Sequence, residues 1–331
     1  MQRYFIVLMI SIVVISCSKV KHDPYDEKLN KVVESIDELL SDLKAELKAT
    51  SIYAESLYIR QNEILPTIDR SKYAIYDKSI FYKKKQDLGS AVFVTGFHPI
   101  DDSLKRTVYF TEPLDKAFLS IVEKYPQIIQ VYYNDRRSYN RIYPWFDVLT
   151  QYQRNVDLTQ FNFYFLADLE HNPLKKSICV DDPYLDPAGR GWIYSIISPV
   201  YYKDKLEGVL GVDLTAEGLL RYLSKDDVIS CMIVQNNGTI IASSEDLYQK
   251  FNLPNRDRIN YIERIAKDEH LKDDFSLQTS KSLELRELYG YLQKDQVFTK
   301  KLFDKEYVIY VKSLKEINWK LIFLRDINAG N

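Results

Sequence analysis

The feature that most limits the possible folds is one long helix, which the sequence predicts from about Tyr25 to Leu65. Its apolar positions recur with the spacing of a helix that buries a single stripe, at Leu29, Val33, Ile36, Leu40, Leu43 and Leu47. Pro66 ends the pattern. Such a helix is about 60 Å long, which is enough to run beside two stacked domains. A homodimeric coiled coil would use the same stripe and is the alternative.

The segment before this helix predicts export. Arg3 precedes an apolar run from Phe5 to Ile15, which is too short for a membrane-spanning helix and typical of a signal peptide. The run ends at Ser16 and Cys17, and this junction resembles the bacterial lipobox, in which the cysteine is lipidated. We therefore predict a lipoprotein signal peptide at 1–17 and an exported protein that is lipid-anchored through Cys17, on the periplasmic side of a bacterial membrane or at the cell surface. An ordinary signal peptide with a chance cysteine is the alternative.

Short strand-like runs follow the helix. Between residues 67 and 224 they are SAVFVTGF, TVYFT, IIQVYYN, FNFYFLAD and the pair WIYSIISPVYY and LEGVLGVDLT, with a helix predicted at EPLDKAFLSIVEKYP. Successive strands with few helices indicate an antiparallel sheet covered by helices, which is an α+β layer. We place a tether and the long helix at 18–66 and a first module at 67–224.

A second module is predicted at 225–331. The helical segment TAEGLLRYLS leads into it, and its strands are VISCMIVQ, TIIASS, EYVIYVKSL and NWKLIFLRD. Asn236, Asn237 and Gly238 predict a tight hairpin turn between the first two of these strands. The pattern indicates one fold used twice, without a residue-level repeat.

The charge, histidine and cysteine content limits which partners, metals and disulfides we expect. The 45 basic and 47 acidic residues leave a net charge of −2, so no overall field favours nucleic acid. The four histidines lack ligand spacing and no calcium-loop spacing is present, so we predict neither a metal nor a cofactor. Cys179 and Cys231 lie in different predicted modules, and we expect two buried free thiols.

One carboxylate lies within an otherwise apolar strand, LEGVLGVDL. Strand alternation puts Val209, Gly211 and Asp213 on the same face. The missing side chain at Gly211 predicts room for a group to approach Asp213 closely. Because a buried carboxylate needs a cationic or hydrogen-bonding partner, we expect either an internal arginine or the ammonium group of a ligand beside it.

Two further segments combine groups that recognise charged ligands. The segment VYYNDRRSYNRIYPWFDVLTQY interleaves aromatic rings with arginines, which suit ammonium and carboxylate groups respectively. A packed aromatic core with solvated arginines is the alternative. In DPYLDPAGRGW, Tyr184 and Asp186 are two residues apart and share one face of an extended chain.

In this order, PWF, DPYLDPAGRGW, SIISPVYY and LEGVLGVDLT after a long helix resemble the double Cache sensor domain, the extracytoplasmic ligand-binding module of many bacterial chemoreceptors and sensor kinases. The resemblance extends over residues 25–327 and is most specific over 130–215. It implies an α+β fold of two tandem, PAS-like Cache modules, each an antiparallel sheet flanked by helices. The membrane-distal module would bind the ligand and the other would lie near the membrane.

The resemblance also implies a site in which a tyrosine and two aspartates hold an ammonium group, while an arginine and aromatic residues hold a carboxylate. Tyr143 stands where that pattern has an arginine two residues before the tryptophan, so an amine or other small cationic metabolite fits nearly as well as an amino acid. The predicted ligand-binding set is Tyr133, Arg141, Trp145, Phe146, Tyr184, Asp186, Trp192 and Asp213.

Three classes of function follow from these patterns. The first is a binding lipoprotein without enzymatic activity, which takes a small ligand in the distal module and acts through a separate transmembrane signalling or transport protein. The second is an exported hydrolase that uses paired carboxylates as acid and base. The third is a surface scaffold with a vestigial pocket.

Overall fold

The computed structural model describes residues 23–85, 87–152, 154–186, 192–215, 218–220, 230–253 and 275–328. The predicted signal peptide with Cys17 lies outside these residues, as does most of the helix predicted at 215–224. Within the described residues, no helix is both long and apolar enough to cross a membrane.

The long helix is present as α1, Pro24–Ile59. The side chain of Asp23 caps it by accepting a hydrogen bond from the backbone N–H of Tyr25 at 3.0 Å. The helix ends earlier than predicted because Arg60 leaves the helical conformation, at φ −91° and ψ 11°. A short helix α2, Gln61–Ile64, and a 3₁₀ turn, Leu65–Thr67, follow. The 36 residues of α1 make it about 54 Å long.

The first module is built on a nine-stranded antiparallel sheet within the described residues. Its strands are β1 Tyr73–Tyr76, β2 Ile80–Lys83, β3 Ala91–Val94, β4 Ile128–Asp135, β5 Tyr139–Tyr143, β6 Ile178–Cys179, β7 Tyr184–Leu185, β8 Trp192–Tyr202 and β9 Lys205–Leu214. Their spatial order is β1-β2-β3-β5-β4-β9-β8-β6, and β7 also pairs with β8. The predicted hairpin of β8 and β9 is confirmed, with Lys203 and Asp204 at φ 48° and 60° in its turn.

Helices cover both faces of this sheet. With α1, the helices α3, Asp102–Phe110, and α4, Leu114–Lys124, pack on one face. The short helices α5, Val148–Gln151, and α6, Asn162–Phe165, belong to the layer on the other face, with a 3₁₀ turn at Leu158–Gln160 between them. The helix predicted at 112–126 is confirmed as α4.

Two strand predictions in this module are wrong. TVYFT lies in α3, where Asp101 caps the helix by accepting a hydrogen bond from the N–H of Leu104 at 2.7 Å. The buried residues Leu104, Thr107 and Val108 follow helical rather than alternating spacing. FNFYFLAD contains α6 instead of a strand, because its adjacent aromatic residues Phe163 and Tyr164 are both buried.

The second module has a five-stranded antiparallel sheet within the described residues, in the order β11-β10-β14-β13-β12. Its strands are β10 Ser230–Gln235, β11 Ile240–Ser243, β12 Gln296–Leu302, β13 Lys305–Ser313 and β14 Trp319–Asp326, and its described helices are α7 Glu245–Lys250 and α8 Leu283–Tyr289. All four predicted strands are confirmed. Gly238 supplies the positive φ of 88° in the predicted turn, and a Cβ there would lie 2.6 Å from Cδ2 of Tyr289.

One apolar core joins both modules along α1. The rings of Tyr194 in β8 and Trp319 in β14 meet edge to face, with centroids 4.8 Å apart, and the indole N–H of Trp319 donates to the carbonyl of Asp181 at 2.9 Å. On α1, Asp37 accepts hydrogen bonds from the backbone N–H groups of Lys315 and Glu316. The buried stripe of α1 therefore packs against both modules of the same chain, as predicted for a helix that runs beside two domains.

The two described cysteines are free thiols. Cys231 is buried and Cys179 is half-buried. Burial raises the pKa of each thiol to about 12. The prediction of free thiols is confirmed, while the prediction of full burial is confirmed only for Cys231.

Candidate ligand-binding site

Polar side chains collect on the face of the first sheet that lies opposite α1, here called the cavity face. Alternation along β4 places Gln130, Tyr132 and Asn134 on this face. In the register of β4 with β9, Gln130 lies beside Asp213 and Tyr132 beside Gly211. The layer that contains α6 covers these residues and leaves a cavity open to solvent, with about 260 Å³ of empty space when the part in open solvent is included. The cavity is lined by Gln130, Tyr132, Asn134, Asn140, Ile142, Tyr152, Leu158, Phe163, Tyr184, Asp186 and Asp213.

Asp213 is fully buried at one end of the cavity and is held by hydrogen-bond donors. Gln130 donates through Nε2 to Oδ2, and Ser195 donates through its hydroxyl to Oδ1. The hydroxyl of Tyr184 lies 3.3 Å from Oδ1 and 2.6 Å from the hydroxyl of Ser195. This cluster of Gln130, Tyr184, Ser195 and Asp213, together with Asp186, is here called the acidic end.

Ionisation of Asp213 in the acidic end is unfavourable. Burial and, to a smaller extent, the nearby charge of Asp186 raise the pKa of Asp213 to about 7, although the hydrogen bonds from Ser195, Gln130 and Tyr184 oppose the increase. Asp186 is itself buried, at 3% exposure. Among the described residues that line the cavity, none is cationic. The site can therefore accept a positive charge, which would favour the ionised carboxylate.

The predicted pairing of Tyr184, Asp186 and Asp213 is seen in the structure, since all three side chains line the same cavity. The prediction that Gly211 leaves room for a ligand beside Asp213 is corrected. A Cβ at Gly211 would lie 2.2 Å from Cζ of Tyr132, so the glycine makes room for that ring and not for a ligand. Tyr132 in turn donates to the hydroxyl of Ser195 at 3.1 Å.

Arg141 does not line the cavity, and this corrects its predicted contact with a ligand carboxylate. Its side chain is fully buried on the α1 face of the sheet. There Nη1 lies 2.5 Å from Oδ1 of Asp115, Nη2 donates to the carbonyl of Val108 at 2.8 Å, and Nε donates to the hydroxyl of Tyr139 at 2.6 Å. Arg141 is therefore the partner of an internal carboxylate.

The predicted ligand contact of Tyr133 is corrected for the same reason. It lies on the α1 face, where its hydroxyl is 2.6 Å from that of Tyr58 in α1. A Cβ at Gly208 would lie 2.5 Å from its ring, so Tyr133 fills the space above that glycine. Its neighbour Tyr132 is the residue that faces the cavity.

The other predicted aromatic residues lie outside the cavity lining. Trp145 and Phe146 pack in the apolar cluster on the cavity face, and Phe146 contacts Tyr152 at a ring distance of 5.6 Å. Trp192 begins β8, opposite Leu185 in the register with β7. Of the eight predicted residues, the cavity lining contains three.

Sequence reasoning missed most of the polar lining. These residues are Gln130, Tyr132, Asn134, Asn140 and Tyr152, with Ser195 directly behind them. The sequence shows that Gln130, Tyr132 and Asn134 alternate along β4 and so share a face. Only the register between β4 and β9 shows that this face is the one that carries Asp213.

The fold is similar to that of a solved ligand-binding domain. The ligand-binding domain of the Pseudomonas fluorescens chemoreceptor CtaA, in complex with L-alanine, is 14% identical, with a TM-score of 0.51 over 92% of this chain and 98% of that one. The sensory domain of the Campylobacter jejuni chemoreceptor Tlp3, with isoleucine bound, is 12% identical, with a TM-score of 0.44 over 93% and 98% of the two chains. No protein-family model and no curated protein matches the sequence. The predicted resemblance is confirmed at the level of the fold, which this chain shares with the chemoreceptor domain of CtaA.

Proposed function

We propose that the protein is an extracytoplasmic, non-enzymatic binding protein that takes a small amine or related cationic metabolite in the cavity of the first module. It is held to a membrane by lipid on Cys17 and acts through a separate signalling or transport protein. The observation that carries this proposal is the acidic end, where Asp213 and Asp186 are buried together. A ligand's ammonium group would place a positive charge beside the buried carboxylate of Asp213.

The position of Arg141 favours an amine over an α-amino acid. Its guanidinium is bound to Asp115 on the opposite face of the sheet, so it does not receive a carboxylate from the cavity. A ligand carboxylate would be buried near the carboxylates of Asp213 and Asp186, and like charges repel each other there. An α-amino acid is the second candidate, because the similar CtaA domain was solved with L-alanine. Arg190, which follows Asp186 closely in sequence, lies outside the described residues.

Matched ligand pairs test this proposal. Pentylamine and L-norleucine differ by one carboxylate, as do isobutylamine and L-valine. We expect each amine to bind at least about tenfold more tightly than its amino acid in isothermal titration, because a buried group without its partner costs 1–3 kcal/mol or more. Tighter binding of the amino acids would contradict the proposal and favour the second candidate.

The proposed anchor is supported by the position of the helix start. Asp23 lies six residues after Cys17 and accepts a hydrogen bond from Tyr310 of β13 at 2.6 Å. Lys312 of the same strand pairs with Asp26 at 2.6 Å. A lipid on Cys17 would therefore hold the second module next to the membrane and leave the cavity-bearing module distal.

Lipidation is tested by metabolic labelling with an alkynyl fatty acid. We expect the wild-type protein to be labelled and Cys17→Ser to be unlabelled, because the thiol is the acylated group. Cys231→Ser is the control and should be labelled like the wild type, since its thiol is buried in the second module. Equal labelling of wild type and Cys17→Ser would remove the anchor from the proposal.

A further inference from the structure

The cavity has a second polar end, which differs in chemistry from the acidic end. It is formed by Asn134 of β4, Asn140 of β5 and Tyr152, and is here called the amide end. Gln130 and Asn134 are four residues apart on β4 and share a face, so the two ends lie about 13 Å apart along the strand. The cavity is therefore elongated, with its long axis along β4.

The amide end is organised by a short chain of hydrogen bonds. The hydroxyl of Tyr152 donates to Oδ1 of Asn140 at 3.0 Å, and Nδ2 of Asn140 donates to Oδ1 of Asn134 at 2.7 Å. Both asparagines are only 3% exposed. Because Oδ1 of Asn134 is used, its amide N–H groups remain as donors toward the cavity, and the described residues give them no hydrogen-bond acceptor.

The charge at this end also limits what it recognises. Its described lining contains amides, a tyrosine and Leu158, and no ionisable side chain other than that phenol. Buried amide donors favour a hydrogen-bond acceptor, while a second ammonium group would find no carboxylate here. Between the two ends the walls are apolar or aromatic, with Ile142 and Phe163 beside the ring of Tyr132.

We infer that the ligand is an elongated monocation, with an ammonium group at the acidic end and a neutral hydrogen-bond acceptor, such as an amide carbonyl or a hydroxyl, at the amide end. This inference rests on the proposed binding of a cation at Asp213 and adds the chemistry of the ligand's other end. The apolar walls between the ends suit an aliphatic chain that joins the two groups.

Three probes separate the contributions of the two ends. N-acetylputrescine has one ammonium group and a neutral acetamide, pentylamine has the ammonium group alone, and putrescine has two ammonium groups. Titrated into the full chain, N-acetylputrescine should bind about tenfold or more tightly than either of the others, as expected when buried donors gain an acceptor. In Asn134→Leu and Asn140→Leu this preference over pentylamine should disappear.

Controls keep the outcomes distinct. Asn134→Ser removes the amide with a smaller change of shape if the leucine variants do not fold, and Asn172→Ser, at a buried asparagine outside the cavity lining, should leave all affinities unchanged. Equal wild-type affinities for N-acetylputrescine and pentylamine would overturn the inference, and so would a preference that survives the loss of either amide. In both cases, pentylamine binding that depends on Asp213 would still support the proposed function. Failure of the wild type to bind any of the three amines would overturn both.

Discussion

Asp213→Asn is expected to weaken the binding of pentylamine about thirtyfold or more, because truncating one partner of a buried charge pair costs about 2–5 kcal/mol. The substitution nearly keeps the shape of the side chain, removes its charge and replaces one acceptor oxygen by an amide donor. Isothermal titration measures the loss. The matched control is Asp135→Asn. Asp135 is also a fully buried aspartate, but it is on β4 and its side chain is outside the cavity lining. Burial raises the pKa of Asp135 to about 6. This control should bind pentylamine as the wild type does.

The same variant has a predicted stability signature. The pKa of Asp213 is about 7 in the folded protein against 3.8 as its ordinary value, so between those pH values the folded state binds more protons than the unfolded state. The contribution of Asp213 to the stability of the ligand-free protein should therefore fall as pH rises from about 4 to about 7, and this contribution should be absent from Asp213→Asn. A large loss of stability at all pH values, without a selective loss of affinity, would assign Asp213 a structural role only.

Arg141→Met is expected to lower the free energy of unfolding by about 3 kcal/mol, because it leaves Asp115 largely buried with a weaker partner. The remaining contact, Lys83 with Asp115 at 3.5 Å, is longer than the one removed. Chemical denaturation measures the loss. Pentylamine affinity should remain that of the wild type under conditions where the variant is folded, since Arg141 lies on the other face of the sheet.

The double variant Arg141→Met with Asp115→Leu is the control for this interpretation. Replacing both members of a buried pair by apolar residues should recover much of the lost stability, since neither charge is then left without its partner. A selective loss of norleucine binding in Arg141→Met, with stability unchanged, would instead restore Arg141 to the ligand site.

The elements were predictable where a local pattern was strong. The stripe of α1, the β8–β9 hairpin and the turn at Gly238 all follow from spacing along the chain, and the structure confirms them. TVYFT and FNFYFLAD failed because β-branched and aromatic residues also occur in short helices whose packing decides the conformation. The resemblance in sequence order identified the fold, which composition and periodicity leave open.

The site was predictable only in part, for a geometric reason. Asp213 was identified from strand alternation and Tyr184 and Asp186 from their spacing, and the resemblance then implied that the three act together. Tyr133 and Arg141 were misplaced because a single step along a strand moves a side chain to the opposite face. The register that pairs Gln130 with Asp213 and Tyr132 with Gly211 connects residues far apart in sequence, so no local pattern reveals it.

The measurement that tests the central claim most directly is the number of protons released when pentylamine binds. With a pKa of about 7, the carboxyl group of Asp213 is largely protonated at pH 6, and a ligand ammonium group beside it favours the ionised form. Calorimetric titration in buffers of different ionisation enthalpy should show release of close to one proton at about pH 6, about half a proton at pH 7 and almost none at pH 9. In Asp213→Asn, any residual binding should release almost none at all three. Binding by the wild type without proton release at pH 6, or with proton uptake, would contradict the claim that the ammonium group lies against Asp213.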